Sequence, residues 1–196
     1  MKEISHFPIG LPLSRIRRRL KVPASADFSR YEHLIDRFFT LVEPRCRFDD
    51  LAISLEPGKI LFANGYEMVS ESLRTHLQDC SRVSLIGVTI GPHIEEEMES
   101  YQKQNKILEP LILDAVGSEC VEEASIYISN LIGDQIRKHR QVPTKRFSPG
   151  YGDLSLEVQK YFFQRLKLDE IGLELNTSLL MVPQKSITAF IGWKGA

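Results

Sequence analysis

The chain has 196 residues, of which 42% are hydrophobic and 26% charged, and its formal net charge is −1. This composition is that of an ordinary globular protein, and the small charge gives no bulk attraction to nucleic acid or to an anionic membrane. No apolar run approaches the roughly 20 residues of a membrane span, and the first residues lack the apolar segment of a signal peptide.

The 3 cysteines lie far apart in the sequence, which argues against a disulfide framework and against a zinc site. We therefore expect a reduced, cytoplasmic setting and no bound metal. The length suits a single domain over residues 1–196, with residues 1–26 as an N-terminal arm. A short basic stretch in this arm, residues 14–21, is typical of a solvated charged helix face.

The first half of the chain predicts one long helix and several strands. Apolar residues recur at helical spacing over residues 27–42, where Ser25 or Asp27 can cap the start and Pro44 stops the end. Short strands are predicted over residues 51–55, 60–62 and 83–90. Val69, Leu73 and Leu77 mark a further helix, and an acidic helix begins at His93.

The second half predicts the longest helix over residues 111–139, a further helix over residues 154–166, and strands over residues 179–182 and 186–191. Strands and helices do not alternate as in βαβ units. The order of elements therefore favours an α+β fold with an antiparallel or mixed sheet and long helices.

One loop, residues 146–153, carries most of the chemical information. Pro149 stiffens the backbone, while Gly150 and Gly152 permit positive φ angles and close approach of another group. Arg146 offers a charged fork that can grip a carboxylate in two places, and Tyr151 offers a ring face and a hydroxyl. We expect Asp153 or Ser155 to cap the helix that follows. The alternative interpretation is a plain Pro-Gly turn with a surface arginine.

Two motifs resemble the C-terminal activation domain of cobalamin-dependent methionine synthase. The first is Arg-x-x-Pro-Gly-Tyr, from Arg146 to Tyr151, which matches the loop that binds S-adenosylmethionine in that family. The second is Ser-x-x-Met-x-Pro-x-x-Ser, at Ser178, Met181, Pro183 and Ser186. The resemblance covers residues 111–193 and implies the α+β architecture of that domain.

The resemblance implies a binding site for S-adenosylmethionine that includes Arg146, Ser148, Gly150, Tyr151 and Glu122. Arg146 would bind the carboxylate of the ligand, and a glutamate of the long helix, best aligned with Glu122, would bind its ammonium group. The loop from Ser148 to Tyr151 would offer main-chain groups to the adenine. Helical phase does not choose between Glu122 and its neighbour Glu123, and a solvated surface glutamate is the alternative.

The function implied is reactivation of cobalamin-dependent methionine synthase by reductive methylation of cob(II)alamin. The sequence lacks the Asp-x-His-x-x-Gly cobalamin motif, so the cobalamin would come from a partner subunit, and flavodoxin or another reductant would supply the electron. Methyl transfer from a sulfonium mainly requires positioning, so we predict no catalytic residue and no metal site. The chain would act as a component of a methyltransferase in methionine biosynthesis that is not active alone.

Three alternatives remain open from the sequence. The chain could serve another corrinoid methyltransferase, or it could be a scaffold module without catalysis of its own whose loop has lost the ligand. In favour of the latter, the Pro-x-Cys-Pro-Asp-His continuation of the family is replaced here by residues 152–156. A self-contained Rossmann methyltransferase is disfavoured because no Gly-x-Gly-x-x-Gly fingerprint is present.

Overall fold

The computed structural model describes residues 1–23, 27 and 29–195. Its centre is a 7-stranded sheet in the order β4-β3-β2-β5-β9-β6, with β1 paired to β2, and a separate two-stranded ribbon joins β7 and β8. The strands are β1 (Lys2–Ser5), β2 (Arg45–Glu56), β3 (Lys59–Phe62), β4 (Glu67–Met68), β5 (Cys80–Thr89), β6 (Gln141–Pro143), β7 (Glu174–Leu175), β8 (Met181–Val182) and β9 (Ser186–Gly195). The strand pairs are antiparallel.

Helices cover both faces of this sheet. They are α1 (Leu13–Arg19), α2 (Glu32–Leu41), α3 (Glu71–His76), α4 (His93–Lys103), α5 (Leu108–Lys138) and α6 (Val158–Leu166), with 3₁₀ turns at Ser29–Tyr31 and Leu168–Ile171. The predicted α+β class, with a largely antiparallel sheet and long helices, is confirmed. No helix in the described part of the chain combines the length and apolar character that crossing a bilayer requires.

Two hydrophobic cores follow from the period of two in the long strands. Ala189, Ile191 and Trp193 of β9 pack with α1, α2, α4 and α5 on one face. Phe190, which points the other way, packs with α3 and α6 on the opposite face. The strand β9 therefore separates α5 from α6, and groups at its outer edge are reachable from both helices.

The N-terminal residues join this framework. The strand β1 pairs with β2, and Arg15 of α1 forms ion pairs with Glu119 and Glu123 of α5 at 2.9 and 2.6 Å. Ser25, one of the two predicted helix caps, lies outside the described residues, as do the rest of residues 24–26 of the predicted arm. Asp27 accepts a hydrogen bond from the N–H of Ser29 at 2.8 Å, where the helical region begins.

Three local predictions are wrong. The helix α6 begins at Val158 rather than at residue 154, and no described side chain caps it. Asp153 bonds to residues of α3 instead, and the Ser155 hydroxyl accepts from the N–H of Glu157, which precedes the helix, at 3.1 Å. Leu179 has a positive φ of 62° and is not in a strand. The short strand β8 (Met181–Val182) pairs with β7, which the sequence did not predict.

Candidate functional site

A cavity lies where α5, the segment after β6, the loop of residues 146–153 and the start of β9 meet. Its volume is about 700 Å³, which falls within the range of about 300–1,000 Å³ that is usual for small-molecule sites. Four of the predicted site residues line it, namely Glu122, Arg146, Ser148 and Tyr151, whereas Gly150 does not. Residues far apart in the sequence are thus brought to one place.

Arg146 is held against α5 by two contacts. Its Nη2 lies 2.8 Å from Oε2 of Glu122, and its Nη1 donates a hydrogen bond to the hydroxyl of Ser125. The Ser125 hydroxyl itself donates to the main-chain carbonyl of Glu122 at 2.8 Å. These contacts fix the plane of the guanidinium group at the cavity wall, with an anion and a cation side by side.

The structure also distinguishes the two glutamates that helical phase left equivalent. Glu122 lines the cavity and pairs with Arg146. Glu123 points to the other side of α5, where its Oε1 lies 2.6 Å from Nη2 of Arg15. One residue along a helix is a rotation of about 100°, which is enough to place one side chain in the cavity and the other under α1.

The loop that carries Arg146 uses much of its own hydrogen-bonding capacity. The N–H of Gly150 donates to the carbonyl of Leu154 at 2.8 Å, and that of Tyr151 donates to the carbonyl of Ser148 at 3.2 Å. Gly150 and Gly152 have φ angles of 90° and 57°, as the sequence predicts. Two of the N–H groups that the loop was expected to offer a ligand are therefore occupied within the loop. Tyr151 lines the cavity and is 66% exposed.

Asp153 fastens this loop to α3 instead of capping α6. Its Oδ1 accepts hydrogen bonds from the hydroxyl of Ser70 at 2.7 Å and from the N–H of Ser72 at 3.0 Å, and its Oδ2 accepts from the N–H of Glu71 at 2.7 Å. These bonds, led by the one from Ser70, hold the pKa of the Asp153 carboxyl well below its usual range. Gly152 lies so close to α3 that a β-carbon there would be 2.7 Å from Cβ of Ser72.

The segment between β6 and Arg146, and Phe147 after it, are held by contacts with β9 and α3. The N–H and carbonyl of Phe147 both bond to Phe190 of β9, at 3.0 and 2.8 Å. The ring of His76 lies against Phe147, with 5.1 Å between centroids, and its Nε2 donates to the carbonyl of Lys145 at 2.8 Å. The backbone around Arg146 is thus tied to both α3 and the sheet.

A buried lysine fixes the start of β9. The Nζ of Lys185 lies 2.5 Å from Oδ1 of Asp114 and 2.9 Å from the hydroxyl of Ser118, both on α5. Next to it, the Ser186 hydroxyl donates to the carbonyl of Pro183 at 2.7 Å. Of the second sequence motif, Met181 and Ser186 line the cavity.

The cavity has more cationic than anionic side chains. The charged residues that line it are Glu122, Arg137, Lys145 and Arg146. Arg137 is partly neutralised by Asp134 at 2.6 Å. Among the described residues, no group of three or more histidine, cysteine, aspartate or glutamate side chains converges as a metal site would.

Sequence reasoning missed Ser125, Gln159 and Thr188. Gln159 and Thr188 line the cavity and are bonded to each other, with the Thr188 hydroxyl 2.8 Å from Oε1 of Gln159. Ser125 follows Glu122 by three residues, a spacing that places both on one helix face and could have indicated it. No local signal marks the other two, because they meet only when α6 packs on the sheet.

No protein-family model matches this sequence, and no curated protein matches it either. Solved structures do match, and one of them gives the class of the fold, which is that of a methionine synthase activation domain. One of them, described as the MetH reactivation domain bound to AdoHcy (S-adenosylhomocysteine), aligns with 97% of this chain and 77% of that chain at a TM-score of 0.66. The identity between the two chains is 11%.

At this level of identity the likeness establishes the fold. The architecture expected from the two motifs is therefore confirmed over nearly the whole chain, including the first half, which the sequence motifs did not cover. The ligand in that structure is a property of that protein.

Proposed function

We propose that this chain binds S-adenosylmethionine, and its product S-adenosylhomocysteine, in the cavity beside α5. The observation that carries the proposal is the pair of Arg146 and Glu122, 2.8 Å apart at the wall of a cavity of about 700 Å³. An α-amino acid carries a carboxylate and an ammonium on one carbon, and a neighbouring cation and anion complement it. The shared fold with an AdoHcy-bound domain supports this ligand.

Each predicted residue has a role in the proposal. Arg146 binds the carboxylate and Glu122 the ammonium group, so the ligand exchanges their mutual ion pair for two new ones. Tyr151 lies at the cavity mouth with its ring exposed, where it can cover the sulfonium. Ser148, in the same loop, lines the cavity. Gly150 does not contact the ligand, but its positive φ sets the shape of that loop.

The chemistry proposed is reductive methylation of cob(II)alamin held outside these 196 residues. One electron from flavodoxin or another reductant and the methyl group of S-adenosylmethionine convert cob(II)alamin to methylcobalamin and leave S-adenosylhomocysteine. The chain's own part would be to bind S-adenosylmethionine and orient its sulfonium methyl toward the acceptor, which requires positioning and no proton transfer. We propose that the whole chain acts as one cytoplasmic domain with a cobalamin-binding methionine synthase subunit as its partner.

Calorimetric titration of the full chain with S-adenosylhomocysteine, and then with S-adenosylmethionine, tests the binding proposal. We expect saturable binding with one ligand per chain. Methionine alone should compete, because it carries the same amino-acid group. A chain that binds none of the three would contradict the proposal and favour a scaffold module.

A second experiment tests the reaction. A cobalamin-loaded methionine synthase without its activation domain would be mixed with this chain, a reductant and S-adenosylmethionine. We expect the cob(II)alamin absorbance to give way to that of methylcobalamin only when this chain is present. If the chain binds the ligand saturably but this conversion does not occur, the binding proposal stands and the proposal of a methionine synthase partner fails.

A further inference from the structure

The outer edge of β9 is open where it borders the cavity. The strand β6 covers only Trp193–Gly195 of this edge. Beyond it, Thr144 bonds to the main chain of Gly192, and Phe147 bonds to Phe190. The chain then turns away at Ser148, so the edge that follows, at Thr188, has no neighbouring strand among the described residues.

The direction of the Thr188 peptide groups follows from its neighbours. The N–H and C=O of Phe190 both point to the outer edge, because both bond to Phe147, and the C=O of Gly192 does the same by accepting from the N–H of Thr144 at 3.0 Å. Peptide groups of a strand change sides with a period of two. The N–H and C=O of Thr188 therefore point to the outer edge as well.

These two groups are buried and unused. Thr188 is 2% exposed and lines the cavity, and within the described part of the chain neither its N–H nor its C=O has a hydrogen-bond partner. Buried main-chain groups are almost always paired in folded proteins. A donor and an acceptor left at a cavity wall therefore point to a ligand that pairs with both.

The side chain of Gln159 adds a third polar group at the same place. It is 6% exposed, and its Oε1 accepts from the Thr188 hydroxyl at 2.8 Å. No described residue accepts a hydrogen bond from its Nε2, so the two N–H donors are left to face the cavity that Gln159 lines. In contrast, the N–H groups of Gly150 and Tyr151 in the opposite loop are already bonded.

We propose that the open edge of β9 at Thr188, with the amide of Gln159, is the subsite that recognises a 6-aminopurine ring. The Thr188 carbonyl accepts from the 6-amino group, and the Thr188 N–H donates to a neighbouring ring nitrogen. This inference rests on the proposed function, because the ligand that brings the ring is S-adenosylmethionine or its product. It moves the recognition of the base from the loop of residues 146–153 to the sheet.

A strand edge can distinguish bases because its donor and acceptor cannot exchange places. Hypoxanthine carries a carbonyl oxygen where adenine carries the amino group, so the Thr188 carbonyl would face another acceptor. Turning the ring over would restore the pairing, but the sugar would then leave from the wrong side, and the amino-acid end is anchored at Arg146. The buried carbonyl would therefore be left unpaired.

The first test changes the ligand and leaves the protein intact. Calorimetry on the full chain would compare S-adenosylhomocysteine with S-inosylhomocysteine, which differs only at the 6-position and the adjacent ring nitrogen. We expect the inosyl compound to bind about 10-fold or more weakly, as for a site that keeps an unpaired buried acceptor. Equal affinities would overturn the proposal. Absence of binding by either would overturn the proposed function with it.

The second test locates the ring. In an amide ¹H–¹⁵N spectrum, adenosine should shift the resonance of Thr188, whereas methionine should leave it in place and shift those near Arg146. A Thr188 resonance that ignores adenosine, while those of the loop at Ser148 respond, would place the ring on the loop and contradict the proposal.

A pair of variants completes the design. Gln159→Leu should weaken binding of adenosine about 5-fold or more, because a buried donor to the ligand is lost. Gln164→Leu, an exposed glutamine on the same helix α6, should leave it unchanged. If the two variants bound adenosine equally well while melting at the same temperature, the amide of Gln159 would have no part in the subsite.

Discussion

The two ends of the cavity differ in whether their polar groups have hydrogen-bond or ion-pair partners within the protein. At the α5 end, Arg146 is neutralised by Glu122 and held by Ser125, so the free protein leaves little unsatisfied. At the β9 end, the main-chain groups of Thr188 border the cavity and have no hydrogen-bond partner in the described residues.

This difference separates the energetic roles of the two ends. A ligand at the α5 end must replace an ion pair that already exists, so its net gain is smaller than the strength of the new contacts. A ligand at the β9 end satisfies groups that are otherwise unpaired, so each hydrogen bond contributes more fully and a mismatch costs more. We therefore expect the charged end to anchor the ligand and the strand edge to select it.

The largest expected effect comes from breaking the loop that carries the charged end. Gly152→Ala forces a residue with a β-carbon into a φ of 57° and places that carbon 2.7 Å from Cβ of Ser72. We expect a loss of about 2–4 kcal/mol in the free energy of unfolding, from backbone strain and overpacking together. Urea unfolding of the variant and the parent measures it.

Gly172→Ala is the matched control for this change. Gly172 has a φ of 82°, but a β-carbon there would meet no atom within 4 Å. Only the backbone strain of about 1–2 kcal/mol should appear. If both variants lost the same free energy of unfolding, the contact between residue 152 and Ser72 would add no destabilisation. That result would contradict the close attachment of the loop to α3 beside Asp153.

The second-largest effect is expected from removal of Arg146, which anchors the carboxylate of the ligand. Arg146→Ala should weaken binding of S-adenosylmethionine by about 1.5–3 kcal/mol, the usual contribution of a charge-assisted hydrogen bond. Arg137→Ala is the control, because Arg137 lines the same cavity but is paired with Asp134. Calorimetric titration gives both affinities. An Arg146 variant that bound as tightly as the parent would disprove the carboxylate contact.

A smaller effect is expected at the anion of the same pair. Glu122→Gln should weaken binding by about 1 kcal/mol, since the contact to the ammonium is lost while the competing ion pair to Arg146 is lost as well. Glu123→Gln should leave the affinity unchanged, because Glu123 faces Arg15 on the other side of α5. A reversed order in the two titrations would mean that α5 presents the other glutamate to the ligand.

The smallest effect is a pH dependence of the loop clamp. Hydrogen bonds, first from Ser70 and then from the N–H groups of α3, lower the pKa of Asp153 from an ordinary value of 3.8. A carboxyl with a lowered pKa contributes stability that is complete above the unfolded value and disappears as pH falls toward the folded value. The stability difference between the parent and Asp153→Asn should thus be constant above about pH 5 and shrink below about pH 4.

Urea unfolding of both proteins at several pH values between about 3 and 7 measures this difference. A difference that already declined at about pH 6 would point to another titrating group and would contradict the assignment to Asp153.

The sequence predicts the parts of the site that carry distinctive chemistry. Arg146 and the glycines of its loop were identified because a charged fork and two flexible residues are recognisable in a short motif. The resemblance points to Glu122, although periodicity does not separate it from Glu123. The helices and long strands followed from hydrophobic spacing, and their order was enough to predict the α+β class.

The β9 end could not be predicted, for a physical reason. The polarity of Thr188 lies in its main chain, which every residue shares, and it becomes distinctive only because the neighbouring segment departs at Ser148. The sequence misassigns Asp153 for a different reason, which is that its partners are remote along the chain. As a helix cap it looked local, but its partners Ser70 and Ser72 lie more than 80 residues away in the sequence.

The attachment of Asp153 to α3 also supplies reporters that lie outside the cavity. The amide hydrogens of Glu71 and Ser72 are held by this one carboxylate. They can exchange with solvent only when the loop that carries Arg146 lifts from α3. A ligand that holds the loop closed should slow their exchange with deuterium, so two residues that do not line the cavity would register its occupancy.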